Sequence, residues 1–414
     1  MSSLIVPPRI RSAGEAGRKV TWLELFFDLI FVAAVGQVAE PLRHDYALAE
    51  LMRFAPLFIL IWWAWMGHTV FSTRFDTDDV VQRMLTFVQI FAVAAMAANA
   101  KDALDSQSSA GFGAAYAAVR FVLVAQYVRA RHVRDARALT VRYGVGHGIA
   151  ALLWLVSALT PAPARFWIWA LAFALDLGTP WLAVPHSVKV PPDAAHLPER
   201  FGLFTLILLG ESVVAVMRGM ESQEGWPPGA AASAILGMGV LFLTWWWYFD
   251  GAEAASEQPV RNRREAIRFH IWSYAHFPLY LGIIVAGVGV NRGVTAAARH
   301  LLSSEESRIF AGAAVLMMLA MSAIDATSAA RPAGSRRLVP HLAVAGILAA
   351  IGAAGVAAPL AMIALVFVAC AAQLLLSLGG RRASSPAGGC HPSPARRALA
   401  GTGVVPHGAD EATA

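Results

Sequence analysis

The sequence predicts an all-α, polytopic integral membrane protein, and both its composition and the spacing of its apolar segments indicate this class. Of the 414 residues, 57% are hydrophobic and 14% are charged, which is unusual for a soluble domain. The mean hydropathy is +0.56. The apolar residues collect in segments of about 20 residues, which is the length that a helix needs to cross a bilayer.

The chain contains about twelve such apolar segments. They lie near 20–39, 53–72, 84–100, 111–129, 140–159, 164–184, 201–217, 229–249, 270–290, 308–328, 338–355 and 357–378. The last two segments are separated mainly by the glycines and Pro359, so a total of eleven spans is an open alternative.

Two motifs recur in the two halves of the chain. ELFFDLIF begins at Glu24, and ERFGLFTLILLGES begins 175 positions later at Glu199. WWAW from Trp62 and WWWYFD from Trp245 occupy similar places in the two halves. Because six spans are an even number, this pattern predicts two six-helix repeats of the same orientation, related by an axis along the membrane normal.

This duplication divides the chain into five parts. We expect a cytoplasmic N-terminal segment over 1–19, a first six-helix membrane unit over 20–184, a cytoplasmic linker over 185–200 and a second six-helix unit over 201–378. Residues 379–414 are rich in Gly, Pro, Ala and Ser, and this composition predicts a disordered cytoplasmic tail.

The basic residues predict the orientation. With the N-terminus inside, most of the 33 Lys and Arg residues fall on the cytoplasmic face, as is typical of multi-pass membrane proteins. Both termini should then be cytoplasmic. We expect the arginine clusters of this face to fix the topology and to contact anionic lipid, and since they lie between apolar segments we expect no nucleic-acid partner. The clusters contain Arg129, Arg131, Arg134, Arg137, Arg142, Arg261, Arg263, Arg264 and Arg268.

Three polar residues interrupt the first apolar segment, VTWLELFFDLIFVAAVGQVAE. Glu24 and Asp28 are four positions apart and therefore share one face of a helix. We expect this face to point into a polar pathway, with Gln37 further along it. Candidate basic partners are Arg18, Lys19 and Arg200. For Glu24, a place at the helix N-terminus, where a carboxylate is favourable, is an equal alternative.

Other ionisable residues lie deep within later segments. Glu211 interrupts LILLGESVVAV, Asp176 precedes a helix-breaking Gly-Thr-Pro sequence, and His276 lies two residues before Pro278. Ionisable residues inside membrane segments usually mark ion or substrate pathways. We therefore place Asp176, Glu211 and His276 on an ion or solute pathway. The alternatives are a proline kink that serves packing beside Asp176, a buried structural hydrogen bond for Glu211 and a satisfied core histidine for His276.

The sequence RFDTDDVVQR closes the second segment and suggests a cytoplasmic gate or latch. This group comprises Arg74, Asp76, Asp78 and Asp79, together with Glu199 at the start of the seventh segment. Capping of the third helix by Asp78 and Asp79 is the alternative. The stretch lacks the glycine and the distal glutamate of an EF-hand, so we expect no calcium site.

No motif of soluble enzyme chemistry occurs. Cys370 and Cys390 provide neither a disulfide framework nor a CxxC metal site, and the chain contains no P-loop, nucleophile elbow or HExxH sequence. We expect no cofactor, no bound metal and no enzymatic activity. An intramembrane enzyme that uses His276 with Glu211 or Asp176 is the least favoured alternative.

Four ordered motifs resemble the bacterial low temperature requirement A (LtrA) family, over roughly residues 18–380. They are WLELFFDLIFV, RFDTDDVVQRMLTFVQIFAVAAMAAN, ERFGLFTLILLGESVVAV and HFPLYLGIIVAGVGV. The resemblance implies a multispanning inner-membrane protein, associated by name with growth in the cold, that has no defined biochemical activity or catalytic residues. The positions that match the family motifs are Glu24, Phe27, Asp28, Arg74, Asp76, Asp78, Asp79, Glu199, Gly210, Glu211, His276 and Pro278.

The leading functional hypothesis is transport or conduction of a small solute or ion, with proton coupling as one form of it. It rests on the embedded carboxylates, the duplicated bundle and the lack of catalytic motifs. The alternative is a membrane sensor or organiser that responds to the state of the bilayer and transports nothing. Measurable flux would discriminate between the two.

Overall fold

The structure is a computed structural model that describes residues 6–10, 20–105, 109–251, 258–297, 301–328, 338–355 and 358–382. Within these residues the chain forms helices joined by short loops and contains no strand, apart from an isolated bridge between Arg9 and Asp76. The all-α prediction is confirmed. The predicted tail lies outside the described residues, except for 379–382, which end the last helix.

The helices follow the predicted apolar segments closely. They are α1 (Trp22–His44), α2 (Leu48–Arg74), α3 (Val80–Ala98), α4 (Ser109–Ala130), α5 (Arg137–Leu159), α6 (Ala164–Leu182), α7 (Val184–Ser187), α8 (His196–Glu221), α9 (Pro228–Trp246), α10 (Arg263–Ala296), α11 (Ser304–Thr327), α12 (Leu338–Ala353) and α13 (Pro359–Arg382). A 3₁₀ turn precedes α5, and a π-helical turn, Trp247–Gly251, extends α9.

Ten of the described helices are long and apolar enough to cross a membrane, which identifies a multi-pass membrane protein. Two further segments, α6 and the shorter α12, are also helical. The break between the last two segments is real, because α12 ends before Gly355, which has φ +72°, and α13 begins at Pro359. The arrangement of twelve spans in two repeats stays a prediction.

Side-chain caps begin several of the helices. Thr21 and Glu24 form a capping box at the start of α1, which satisfies backbone N–H groups that have no partner inside the helix. Ser303 and Glu306 form a second capping box at the start of α11, and the side chains of Asp79 and Asn262 cap α3 and α10. These caps favour the observed starts of the four helices.

Aromatic side chains fill the centre of the bundle. Trp62, Trp63 and Trp65 on α2 are 2%, 3% and 0% exposed, as expected for tryptophans that fill helix contacts. The Trp65 ring stacks on Phe204 of α8 with centroids 4.3 Å apart. Contacts of α1 and α2 with α8 and α10 therefore join the first half of the chain to the second.

Asp79 ties the N-terminal segment to the start of α3. Its carboxylate accepts hydrogen bonds from the backbone N–H groups of Gln82 and Val6, each 3.0 Å long, and from Arg129. Burial raises the pKa of Asp79, but these hydrogen bonds and the Arg129 charge together lower it by more. The pKa of Asp79 therefore lies below its ordinary value. Asp79 is therefore a structural capping residue at this membrane surface.

Replacing Asp79 with alanine should destabilise the protein by about 1 kcal/mol more than replacing it with asparagine, because asparagine keeps the N-cap and alanine does not. A depressed carboxyl pKa contributes stability above the unfolded-state pKa of about 3.9 and loses it as the pH falls through the folded-state value. The advantage of wild type over Asp79→Asn in free energy of unfolding should therefore shrink below about pH 4. Denaturation at several pH values measures it, and an advantage that grows in acid would contradict this assignment.

Candidate functional site

Arg200 on α8 gathers both carboxylates of the first helix. Its Nε and Nη2 donate to Asp28 over 3.1 and 2.5 Å, and its Nη1 lies 3.2 Å from Glu24. The side chains of Arg200 and Asp28 are both fully buried. Trp65 donates a further hydrogen bond to Asp28 over 2.7 Å, and His196 lies 3.4 Å from Glu24. We call this group the Arg200 cluster.

The Arg200 cluster explains why two carboxylates lie one helical turn apart inside a membrane helix. Two buried anions would repel each other, but a guanidinium offers several N–H donors and can bind both. Glu24 also accepts a hydrogen bond from the Thr21 backbone over 2.9 Å, so it caps α1 as well as pairing with Arg200. Glu24 therefore lies at the helix N-terminus, where it caps α1, and it also faces the interior, where it contacts Arg200.

A second ion-paired group lies toward the other end of α1. Arg43 contacts Glu40 of its own helix and Glu211 of α8, each over 2.5 Å. Gly36 leaves room for the Glu211 carboxylate, because a Cβ atom at this position would lie 3.3 Å from Glu211 Oε1. We call Arg43, Glu40 and Glu211 the Arg43 cluster.

The Arg200 and Arg43 clusters show that α1 and α8 run in the same direction. Asp28 faces Arg200 near the start of both helices, and Arg43 faces Glu211 further along both. The two ion pairs have opposite polarity, because α1 supplies the acid of the first pair, Asp28, and the base of the second pair, Arg43. Buried apolar side chains of α1, such as Phe31, which is 0% exposed, lie between the two clusters along the helix.

Asp176 belongs to a third group inside the first half of the chain. Arg120 Nε lies 2.7 Å from one carboxylate oxygen, and His147 Nδ1 lies 2.5 Å from the other. Trp63 donates to the same carboxylate over 3.1 Å. Gly67 makes space for the arginine, since a Cβ atom there would lie 2.7 Å from Arg120 Nη1. We call Arg120, Asp176 and His147 the Arg120 cluster.

A cavity of about 30 Å³ lies beside the Arg120 cluster, between α2, α4, α5, α6 and α10. Arg74 lines this cavity and is 3% exposed. Its guanidinium carbon lies 5.2 Å from the centroid of the Tyr143 ring, and its Nη2 is 3.4 Å from Ser187 Oγ. We call this space, with Arg74, Tyr143, Ser273 and Tyr274 in its wall, the Arg74 cavity.

His276 lies in an aromatic part of the core. Its Nε2 is 3.1 Å from the Tyr248 hydroxyl, and its Nδ1 is 2.9 Å from the Trp272 carbonyl oxygen. Within the described chain it has no hydrogen bond or ion pair with Glu211 or Asp176. The structure therefore does not unite these three residues in one site.

The residues of the predicted latch divide into separate contacts. Asp76 pairs with Arg9 over 2.8 Å, and Asp78 pairs with Arg83 over 3.0 Å. Asp79 caps α3, and Arg74 lines its cavity. The side chain of Glu199 is 47% exposed and contacts His196 over 3.6 Å. These five residues lie near one end of the bundle but do not form a single cluster.

The expected place of Gln37 on the inward face is wrong, because Gln37 is exposed. It follows Asp28 by nine positions, and at about 100° per residue nine positions turn a helix by half a circle. Gln37 therefore lies on the opposite side of α1 from Asp28.

Several charged residues of these clusters were not among the predicted site residues. Arg120 and His147 lie inside predicted spans, and a basic side chain at such depth is itself a signal of function or of an ion pair. Arg43 gives a weaker signal, because it falls just beyond the first predicted segment. The sequence indicates Arg200 only as a candidate partner of Glu24 and Asp28.

Comparison with known proteins agrees with the motifs and the fold. The family model for bacterial low temperature requirement A protein (LtrA) matches residues 19–372. An uncharacterized protein of Rhizobium meliloti (strain 1021) is 29% identical over 295 residues, which cover 68% of this chain and 71% of the relative. No solved structure shows a significant match. The match across most of the chain shows that this multi-pass membrane protein belongs to the LtrA family.

Proposed function

We propose that the protein transports a small solute or ion across the bacterial inner membrane. The observation that carries this proposal is the contact between α1 and α8. Two ion pairs join these helices, Asp28–Arg200 near their starts and Arg43–Glu211 further along. Ionisable side chains inside a membrane bundle commonly line substrate pathways. The proposal places both chain termini in the cytoplasm, in agreement with the distribution of basic residues.

The two clusters are suited to alternate opening of the two ends. In many transporters one half of the bundle rocks against the other around a central site. Here such a movement would separate α1 from α8 at the Arg200 cluster or at the Arg43 cluster. Each cluster has a defined closed geometry, and the apolar contact between them would keep the two ends from opening together.

Flux measurements with purified protein in liposomes test this proposal. Proton, sodium, potassium and chloride gradients are imposed in turn on wild type, Glu211→Gln and the control Glu221→Gln, an exposed glutamate on the same helix. We expect wild type and the control to conduct at least one ion, and Glu211→Gln to change its rate by about tenfold or more, which equals about 1.4 kcal/mol. Equal rates in all three proteins would remove Glu211 from the pathway, and no flux under any gradient would contradict ion transport.

A second function is favoured by the exposed arginines of the face where α1 begins. Arg131, Arg134 and Arg137 are exposed where α4 joins α5, and Arg261, Arg263 and Arg264 are exposed at the start of α10. These side chains suit the headgroups of anionic lipid. A protein that senses or organises the bilayer would bind anionic vesicles through these arginines and show no flux, whereas a transporter would show flux in either lipid. We propose no enzymatic step.

A further inference from the structure

We propose that the Arg74 cavity is a binding site for a small monovalent anion. Only the idea that this anion is transported rests on the proposed function. Binding itself requires nothing beyond the cavity and the residues in its wall.

The first observation is the state of the Arg74 guanidinium. It is buried, and neither its Nε nor its Nη1 has a hydrogen-bond partner among the described residues. Its contacts are a long hydrogen bond to Ser187 and the face of the Tyr143 ring. An arginine is always charged in proteins, and a buried charge is costly unless it is paired.

The second observation is the charge of the surrounding wall. Among the described residues, no carboxylate lines the cavity. Asp176, which contacts the lining residues Trp63 and His147, is already paired with Arg120. The cavity therefore keeps the positive charge of Arg74, whereas the Arg200 and Arg120 clusters each pair their arginine with an acid.

The third observation is the presence of further donors on the opposite wall. Ser273 and Tyr274 of α10 line the same cavity, and neither hydroxyl donates a hydrogen bond to a described residue. Ser273 is fully buried. A guanidinium with unpaired N–H groups and two hydroxyls makes a donor-rich site that an anion would satisfy and a cation would not.

The size of the cavity limits the ligand. A cavity volume of about 30 Å³ has room for about two water-sized spheres, since one water needs about 10–15 Å³ by this measure. Chloride, nitrate and formate are of this size class, whereas gluconate and aromatic carboxylates are too large. One arginine neutralises one charge, so the site suits a monovalent anion.

Titration of the full-length protein in neutral detergent tests this inference. Chloride, nitrate or formate replaces gluconate at constant ionic strength, and isothermal titration calorimetry measures binding. We expect saturable binding to wild type, loss of saturable binding in Arg74→Met, and wild-type binding in the control Arg308→Met, which removes an exposed arginine of α11. Ser273→Ala should weaken binding without abolishing it.

Two further measurements distinguish loss of the anion site from misfolding and from cation binding. Arg74→Lys keeps the charge and should retain part of the binding, which separates loss of the site from misfolding of Arg74→Met. Exchange of sodium for choline at fixed anion should give no saturable signal. Equal anion responses in wild type and Arg74→Met, or saturation by the cation alone, would overturn the inference.

Binding and flux are scored separately. Anion binding that needs Arg74, in a protein that shows no ion flux, would support this site and contradict ion transport. Flux of a cation without saturable anion binding would support transport and overturn the anion site.

Discussion

Replacing Arg200 with methionine is expected to lower the free energy of unfolding by about 3–5 kcal/mol, because breaking a buried ion pair leaves an uncompensated charge behind. The fully buried Asp28 would lose two hydrogen bonds, and Glu24 would lose its ion pair. Reversible denaturation of the purified protein in mixed micelles measures the change. The effect is large because the acid has no route to solvent.

Two variants control this experiment. Arg200→Met combined with Asp28→Asn removes both charges, and the asparagine oxygen can still accept the hydrogen bond from Trp65, so stability should recover in part. Arg218→Met is the matched control, because the Arg218 side chain is 52% exposed and lies 3.5 Å from Glu40. Exposed pairs contribute about 0–1 kcal/mol. A loss of under 1 kcal/mol in Arg200→Met would contradict the assigned geometry.

Replacing Arg74 with methionine should have the opposite effect on stability. Substitution of buried charged groups by apolar side chains is often neutral or stabilising by about 1–4 kcal/mol. Arg74 has no ion pair with a described carboxylate, so its removal leaves no acid uncompensated. Arg120→Met should lose about 3–5 kcal/mol, since Asp176 would then be left without its buried arginine.

The contrast between Arg74 and Arg120 is measured in gluconate buffer, because a small anion bound only to the folded state would stabilise wild type. We expect the free energy of unfolding to stay level or rise in Arg74→Met and to fall in Arg120→Met. A comparable loss in both variants would show that Arg74 supports the fold as Arg120 does, and would remove the physical basis of the anion site.

The sequence was sufficient to predict the helices and the inward face of α1. The apolar segments predicted each membrane helix, and the spacing of Glu24 and Asp28 predicted a shared face. The same periodicity, applied over nine residues, would have placed Gln37 on the outside. That error came from assuming that polar residues of one helix face one pathway.

The partners of the buried charges could not be predicted from the sequence. Asp176 and Arg120 are embedded charges of opposite sign, but only the packing of α4 against α5 and of α5 against α6 brings them within 2.7 Å. Likewise, Arg74 and Asp76 are two positions apart, yet their side chains make different contacts. Local spacing sets the direction of a side chain, whereas its partner depends on which helices become neighbours.

The exchanged charges on α1 and α8 also determine which halves can associate. If two copies of the first half met through α1 in the same direction, Glu24 and Asp28 of one copy would face those of the other without Arg200 between them, and like charges brought together in an interface are strongly unfavourable. The same repulsion would oppose two copies of the second half, with Arg200 at one end and Glu211 at the other. The charge pattern therefore favours one copy of each half and discourages self-association through this face.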